Sequence, residues 1–511
     1  MSENRSRVTV HSKLTWVSSK PLGGKPHELS ALDHAMALHT VHVIFYYRAN
    51  PFERGLFDSD FSLSDLLCMY PPVMGRLARG DGGNWVVKCN DAGVRTLRAS
   101  VGTTLDEWLR SADASEERDL TVWEDMPGDP IGCPALVFEG LMGTWLDELA
   151  IAMLGGRMGL SYVGSGAGAW IGRMDAVLGG RMDAVLVGRR GAVLVMLNEF
   201  EGGGLAIGLS CPHMLADPTC ATLFFKSWTE TNRGEPVCHP PIYHLPALNA
   251  RRSLSTGINS IKYLETKSKS AESPSGKMAT ATFRLSHSII KQCLAQIHDE
   301  CPDATPFDLL AALFWIRIMR LKMPRHDQKH SLSICVDVRK PIHGPIPYGY
   351  FGNALHFSLL SMDAELLDTA GLGHVAGAVH RHVADLHEEE LLSAMNWFES
   401  RKGENGQYAQ PFMMYGPELT CISMEHMITP EGSTCESSMY EAAFRKGEEP
   451  VHMTYRIGNV EGEGLIMVMP SPEAGLARTV TVTLSEEQLA ELCEDQAIMD
   501  LQPTMLLGGK M

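Results

Sequence analysis

The stretch from Ala192 to Pro218 predicts two strands, a tight turn and the start of a helix. It reads Ala-Val-Leu-Val-Met-Leu-Asn-Glu-Phe, then Glu-Gly-Gly-Gly, then Leu-Ala-Ile-Gly-Leu-Ser, and it ends Cys-Pro-His-Met-Leu-Ala-Asp-Pro. The glycines can supply the positive φ that a tight hairpin needs, and the apolar runs beside them are typical of strands. His213 therefore follows a strand, and Asp217 stands where Pro218 and the helical spacing beyond it predict a helix start.

The spacing of His213 and Asp217 allows two interpretations. A neutral imidazole, with a reference pKa of about 6.5, can accept a proton from an alcohol or amine that attacks a carbonyl group. In that case Asp217 would be an ion-pair partner that supports the loop of the base. Alternatively, Asp217 is only a helix N-cap and His213 is a histidine at the edge of the core. The spacing itself does not decide between them.

Length and composition predict a two-domain globular protein. A chain of 511 residues is too long for one typical core, and 44% hydrophobic with 21% charged residues is an ordinary globular composition. Residues 251–279 are rich in serine and lysine and predict an exposed linker between an N-terminal domain (1–250) and a C-terminal domain (280–511). The net charge of −17 argues against nucleic acid and against electrostatic attachment to an anionic membrane.

Targeting and redox signals favour a cytoplasmic protein. The first residues do not form a secretory signal, and no stretch approaches the roughly 20 apolar residues that span a bilayer. The twelve cysteines lack Cys-x-x-Cys pairing, which favours reduced thiols over a disulfide scaffold or a zinc site. Cys238 and His239, with His244, are the nearest approach to a ligand cluster, and they fall short of the four well-spaced ligands of structural zinc. We therefore expect no metal.

Several motifs, in order along the chain, resemble the plant acyl-CoA-dependent acyltransferases of the BAHD family. Together with the His-x-x-x-Asp spacing they extend over nearly the whole sequence, which makes them more specific than any one motif. The similar segments are Val8-Thr9-Val10-His11-Ser12-Lys13, Leu29-Ser30-Ala31-Leu32-Asp33, Tyr70-Pro71-Pro72-Val73-Met74-Gly75-Arg76-Leu77, Phe224-Phe225-Lys226-Ser227-Trp228, Val336-Asp337-Val338-Arg339 and Tyr350-Phe351-Gly352-Asn353-Ala354.

This resemblance implies an α/β fold of two chloramphenicol-acetyltransferase-like domains, with a channel at their interface and His213 at its middle. It implies a monomer in which His213 is the catalytic base, and in which Asp217 points away from the substrate and pairs with Arg339. Acyl-CoA would be the co-substrate, and no cofactor would be permanently bound. Since coenzyme A is anionic, it would need a locally basic pocket in this acidic chain.

One family motif is degenerate. The family's Asp-Phe-Gly-Trp-Gly is replaced here by Ala443, Phe444, Arg445, Lys446 and Gly447, so that the aspartate, the first glycine and the tryptophan are missing. In the family this motif supports the fold away from the reacting atoms, and its loss puts catalysis in doubt without removing the base. Loss with a retained histidine is typical of the clade of eceriferum-two and glossy-two proteins of cuticular wax synthesis.

That clade resemblance implies a role in lengthening very-long-chain acyl-CoA beside a condensing enzyme, a ketoacyl-CoA synthase, of the endoplasmic reticulum. The protein would then work on the cytosolic face of that membrane and hold or guide a long acyl chain. The alternative is a catalytically active acyl-CoA-dependent O- or N-acyltransferase with His213 as general base. Both hypotheses stay open at the level of sequence.

A repeat with a period of eight residues interrupts the resemblance. Its three copies run from Ile171 to Leu178, from Gly179 to Leu186 and from Val187 to Leu194. Solenoid proteins use periods of 20 or more residues, so this repeat does not predict one. We interpret about 140–191 as a Gly-rich insertion, either a recent tandem expansion or an error in the predicted coding sequence. A genuine insertion would bury little surface and be poorly ordered, and its functional alternative is a lid or a partner-binding arm.

Overall fold

The computed structural model describes residues 6–52, 57–122, 193–244, 259–270, 276–322, 329–339, 346–428, 439–473 and 475–507. The insertion expected at about 140–191 lies outside these residues. The boundaries of the two domains and of the linker stay predictions.

A six-stranded sheet carries the predicted hairpin. Its strands, in spatial order, are Val8–Trp16 (β1), Val94–Thr104 (β6), Leu194–Glu201 (β7), Leu205–Pro212 (β8), Thr40–Tyr47 (β3) and His452–Gly458 (β13). All neighbours pair antiparallel except β6 and β7, which are parallel. Gly202 and Gly203 turn the chain between β7 and β8 with φ values of +82° and +97°, as the glycine run predicted. Strand β13 comes from beyond residue 280, so the C-terminal half of the chain completes this sheet.

A second sheet of seven strands is built from the C-terminal half. In spatial order it contains Leu355–Asp363 (β11), Lys329–Asp337 (β10), Leu419–Ser423 (β12), Leu465–Pro470 (β14), Arg478–Ser485 (β15), Met278–Leu285 (β9) and Thr504–Leu506 (β16). A small third sheet consists of His27–Glu28 (β2), Trp85–Lys88 (β5) and Arg76–Arg79 (β4). The two large sheets confirm the α/β fold class with two sheet-rich parts.

Helices cover both large sheets. In chain order they are Ala31–Ala35 (α1), Phe57–Leu67 (α2), Pro71–Met74 (α3), Leu105–Ser111 (α4), Ala114–Arg118 (α5), Pro218–Asn232 (α6), Asn259–Lys267 (α7), His287–Gln296 (α8), Pro306–Arg320 (α9), Ala364–Thr369 (α10), Leu372–Ala384 (α11), Glu388–Ser400 (α12), Glu486–Cys493 (α13) and Gln496–Met499 (α14). Among the described residues, no helix combines the length and the apolar character that crossing a bilayer requires.

Capping side chains start two of these helices, and α6 begins where the sequence predicted. Asp217 is the N-cap of α6, since its side chain accepts a hydrogen bond from the amide of Cys220, and Pro218 occupies the first helical position. Thr305 caps α9 in a reciprocal capping box with Asp308. Helix α6 then packs on the first sheet, where Phe225 stacks on Phe45 with 3.6 Å between ring centroids.

The cysteines depart from the sequence prediction at one position. Nine described cysteines, of which seven are buried, are free thiols. Cys238, however, is disulfide-bonded, so the prediction of reduced thiols is wrong there. The spacing rule detects only cysteines that are close in sequence, and it gave no signal for this bond.

Candidate functional site

His213 lies directly after β8, in the interior of the protein. Its exposed fraction is 0%. Its main-chain amide donates to the carbonyl oxygen of His39 at 2.9 Å, and its own carbonyl oxygen accepts from Nδ2 of Asn353 at 2.8 Å. The imidazole Nε2 is 3.0 Å from the hydroxyl oxygen of Tyr415. The main chain and the ring of His213 are therefore both held by partners that are distant in sequence.

Burial lowers the pKa of His213 below its usual 6.5. The carbonyl group of His213 itself, the charge of Asp217 and the side chain of Asn353 act in the opposite direction. The net direction keeps the imidazole neutral near pH 7, which is the form that a general base must have.

Asp217 and Arg339 form an ion pair in the interior of the protein. The guanidinium Nη1 of Arg339 is 2.9 Å from Oδ2 of Asp217, and both side chains are fully buried. A second carboxylate, that of Asp337, also pairs with Arg339, and the amide of Ala354 donates to Asp217 at 3.0 Å. Desolvation opposes the charge of Arg339, but the two carboxylates raise its pKa well above the usual value. Among the described residues no hydrogen bond of good geometry reaches Nδ1 of His213, so Asp217 forms no hydrogen-bonded dyad with the imidazole.

Asn353 links two motifs behind His213. Its Nδ2 donates to Oδ1 of Asp33 at 2.7 Å as well as to the carbonyl of His213, and its main-chain amide donates to the same Asp33 oxygen at 2.8 Å. Asp33 also accepts from Ser30 in the capping box of α1. The Leu29–Asp33 and Tyr350–Ala354 segments, each of which resembles a separate family motif, therefore meet at the loop of His213.

Tyr415 and His39 are two site residues that the sequence did not indicate. Tyr415 lies in the irregular segment before β12 and is completely buried. Its ring packs edge-on against His39 and Phe357, with centroid distances of 4.9 and 5.5 Å. Burial raises the pKa of Tyr415 well above the usual range, so its hydroxyl keeps its proton.

His39 fixes the segment of Tyr415 through two main-chain contacts. Its Nε2 accepts from the amide of Met414 at 3.2 Å, while Nδ1 contacts the carbonyl oxygen of Gly458 at 3.2 Å. Nε2 must therefore be unprotonated, and Nδ1 carries the hydrogen. Burial, with a contribution from nearby His213, lowers the pKa of His39 to about 3.

This histidine should make stability depend on pH. In the unfolded chain it binds a proton below about pH 6.5, whereas the folded protein keeps it neutral down to about 3. Its contribution is therefore fully present above pH 6.5 and is lost as the pH falls towards 3. Between pH 7.5 and 5.5 the loss should be about 1 kcal/mol. We expect His39→Gln to reduce the pH dependence of the free energy of unfolding by that amount, measured by urea titration at both pH values. An unchanged pH dependence would contradict the assignment.

The segment that replaces the family motif contributes one phenylalanine to an aromatic cluster beside α6. Phe444 is 1% exposed and contacts the rings of Phe52, Trp228 and Phe225 edge-on, with centroid distances of 4.9, 5.1 and 5.7 Å. Of the flanking positions, Ala443 and Lys446 contact residues at or just beyond the end of the same helix, whereas Arg445 contacts its own segment. The carbonyl of Ala443 accepts from Arg233, Lys446 lies 3.3 Å from Glu235, Arg445 lies 3.8 Å from Glu448, and Gly447 has a φ of +82°.

The side chain of His213 is 0% exposed, and the described residues around it offer no metal-binding cluster. Among the described residues, no group of three or more His, Cys, Asp or Glu side chains is arranged to hold a metal ion. A cavity of about 730 Å³ lies beside β1 and α5, between residues such as Val10, Leu97 and Arg118, and its lining does not include His213. The imidazole is thus enclosed in this conformation.

Two solved structures resemble this chain over nearly its whole length. Vinorine synthase superposes with a TM-score of 0.64 at 18% identity, covering 97% of this chain and 98% of that one. TRI101 of F. sporotrichioides, complexed with coenzyme A and T-2, superposes with a TM-score of 0.62 at 13% identity, covering 95% of this chain and 100% of that one. The fold is therefore that of the acyltransferases with two chloramphenicol-acetyltransferase-like parts.

The sequence comparisons identify the family. The model of the Transferase family matches residues 6–138 and 187–499, so the chain belongs to this family, that of the BAHD acyltransferases. Similar proteins include Protein ECERIFERUM 2 and Protein ECERIFERUM 26 of Arabidopsis thaliana, at 23% and 24% identity over 92% and 91% of this chain and 93% and 90% of theirs. A hydroxycinnamoyltransferase of Narcissus pseudonarcissus is 22% identical over 88% of this chain and 90% of its own. The family match leaves out residues 139–186, nearly the range of the expected insertion.

Proposed function

We propose that the protein binds acyl-CoA or a long acyl chain and assists a ketoacyl-CoA synthase in very-long-chain fatty acyl elongation for cuticular wax. The observation that carries this proposal is the state of His213. Its side chain is fully buried, and Nε2 is hydrogen-bonded to Tyr415 inside the fold. In this state Nε2 has no free position for an acceptor, whereas the acyltransferase fold around it is intact.

Two further features support an accessory role. The Asp-Phe-Gly-Trp-Gly motif is replaced at Ala443–Gly447, and the ECERIFERUM proteins are relatives across nearly the whole chain. Because no described helix can cross a bilayer, association with the cytosolic face of the endoplasmic reticulum would come through the partner enzyme.

The second candidate is an active acyl-CoA-dependent O- or N-acyltransferase. It is favoured by the neutral imidazole of His213 and by the buried pair of Asp217 and Arg339, which keeps the loop in shape. In this reaction His213 takes the proton of the acceptor hydroxyl or amine as that group attacks the thioester carbonyl. The tetrahedral intermediate then expels the thiolate, which receives the proton from His213, and the products are an ester or amide and free coenzyme A. TRI101, whose fold is related, was solved in complex with coenzyme A. For the present chain, acyl-CoA is our proposed co-substrate.

Complementation of a wax-deficient eceriferum-two mutant plant tests the two candidates. Wild type and His213→Ala are expressed at matched protein level, and the chain-length profile of the wax is measured. We expect both to restore the profile, because the accessory role does not need the base. His11→Ala is a matched control, since His11 is an exposed histidine on β1 whose Nε2 contacts Ser100.

The other outcomes separate the candidates. Rescue by wild type and His11→Ala but not by His213→Ala would make acyl transfer the working chemistry. Failure of all three proteins at matched level would contradict the role in wax elongation.

A further inference from the structure

The main chain around Tyr415 is held in place by hydrogen bonds before, at and after this residue. The amide of Met414 donates to Nε2 of His39, and the carbonyl of Tyr415 accepts from the amide of Glu461 at 3.2 Å. The next carbonyl, that of Gly416, accepts from the buried ammonium group of Lys267. Because these partners come from distant elements, they fix the tyrosine ring against His213.

The hydroxyl of Tyr415 lies where a reacting hydroxyl would have to lie. A general base must be about 2.6–3.2 Å from the atom that it deprotonates, and the oxygen of Tyr415 is 3.0 Å from Nε2 of His213. The ring side of this position is closed by Phe357 and His39. A second hydroxyl, amine or water therefore cannot bond to Nε2 while Tyr415 stays in place.

We propose that Tyr415 is an internal substitute for the acceptor, and that it suppresses a latent acyl-CoA hydrolase activity of His213. The inference rests on the proposed binding of acyl-CoA. It also gives the accessory role a chemical reason, since a protein that holds an acyl-CoA for a condensing enzyme must not cleave the thioester. The neutral histidine and its support are retained, and the tyrosine keeps water away from it.

The latent reaction is acyl transfer to water. With the phenol removed, a water molecule at Nε2 loses a proton to His213 as its oxygen attacks the thioester carbonyl. The carbon–sulfur bond of the tetrahedral intermediate then breaks, and the thiolate takes the proton from His213. One water and one acyl-CoA give one fatty acid and one coenzyme A thiol, and no further reactant is needed.

Tyr415→Leu tests this inference, because leucine keeps apolar volume near the main chain but vacates the position of the hydroxyl. Release of free thiol from palmitoyl-CoA is measured with a thiol reagent on the purified full-length protein. We expect release to rise at least about tenfold above wild type, since a positioned general base contributes about 10²–10⁴-fold. Thiol release by Tyr415→Leu should fall at acid pH, because a protonated imidazole of His213 cannot accept a proton.

Two controls separate the chemistry from simple loosening of the core. The double variant Tyr415→Leu with His213→Ala should return to the wild-type rate. Phe314→Leu truncates a fully buried ring of α9 that packs against Phe283. It loosens the core but leaves the hydroxyl of Tyr415 on His213, so it should show no gain. If Tyr415→Leu does not fold, Tyr415→Met, which fills a similar volume with a flexible side chain, takes its place with the same expectation.

Calorimetric titration of palmitoyl-CoA into wild type and variant distinguishes failure of this inference from failure of the proposed function. Binding to both without increased release overturns the role of Tyr415 and leaves the accessory function standing. Increased release that persists in the double variant overturns the role of His213. Absence of binding to both proteins overturns this inference together with the acyl-CoA binding on which it rests.

Discussion

Arg339→Met should lower the free energy of unfolding by about 3–5 kcal/mol, because it leaves carboxylates uncompensated in the interior. Arg339 and Asp217 are both completely enclosed, and Asp337 lies against the same guanidinium group. Methionine replaces much of the volume, so the loss reports the two charges together with the hydrogen bonds from Arg339 to the carbonyls of Tyr350 and Gly352. Urea titration of the full-length protein near pH 7 measures it.

An exposed ion pair provides the matched control. Arg320 contacts Asp368 at 3.0 Å, with 41% and 70% of the two side chains exposed. Surface pairs of this kind contribute about 0–1 kcal/mol, so Arg320→Met should stay within that range. A loss below about 1 kcal/mol for Arg339→Met would mean that protonation or hydration of the two carboxylates compensates for the missing positive charge. The pair would then not be what holds the loop of His213.

The sequence predicted those features of the site that depend on neighbours along the chain. Gly202 and Gly203 turn the hairpin because only positive φ closes it, and Asp217 caps α6 because its side chain reaches an amide three residues on. These are local rules, and they placed His213 at the end of a strand before any fold was known. The pairing of Asp217 with Arg339 came from family resemblance and from no local pattern.

The immediate surroundings of the imidazole could not be predicted in this way. Tyr415 is separated from His213 by 202 positions and lies in an irregular segment without periodicity. His39 reaches the site because β3 pairs with β8. The register of these two strands is set by the tertiary structure and not by local sequence. Strand β13 likewise joins the first sheet from the far end of the chain. Where the reactive nitrogen points, and what covers it, is decided by such long-range packing.

Phe444→Ala should lower the free energy of unfolding by about 3–5 kcal/mol, the usual range for a buried phenylalanine. Phe444 is the one residue of the Ala443–Gly447 segment whose side chain enters the aromatic cluster with Phe52, Phe225 and Trp228. Edge-on aromatic pairs add about 0.5–1.5 kcal/mol each to the burial itself. Thermal and urea unfolding of the full-length protein measure the loss.

Lys446→Ala is the control from the same segment. Its side chain is 86% exposed and lies 3.3 Å from Glu235, so the change should cost less than about 1 kcal/mol. A large loss for Phe444→Ala with a small one for Lys446→Ala would mean that this segment still anchors α6, the helix that Asp217 caps, despite the missing motif residues. A small loss for both would mean that the segment has lost its structural role as well. The loop of His213 would then be held by Arg339 and Asn353 without help from this side of the helix.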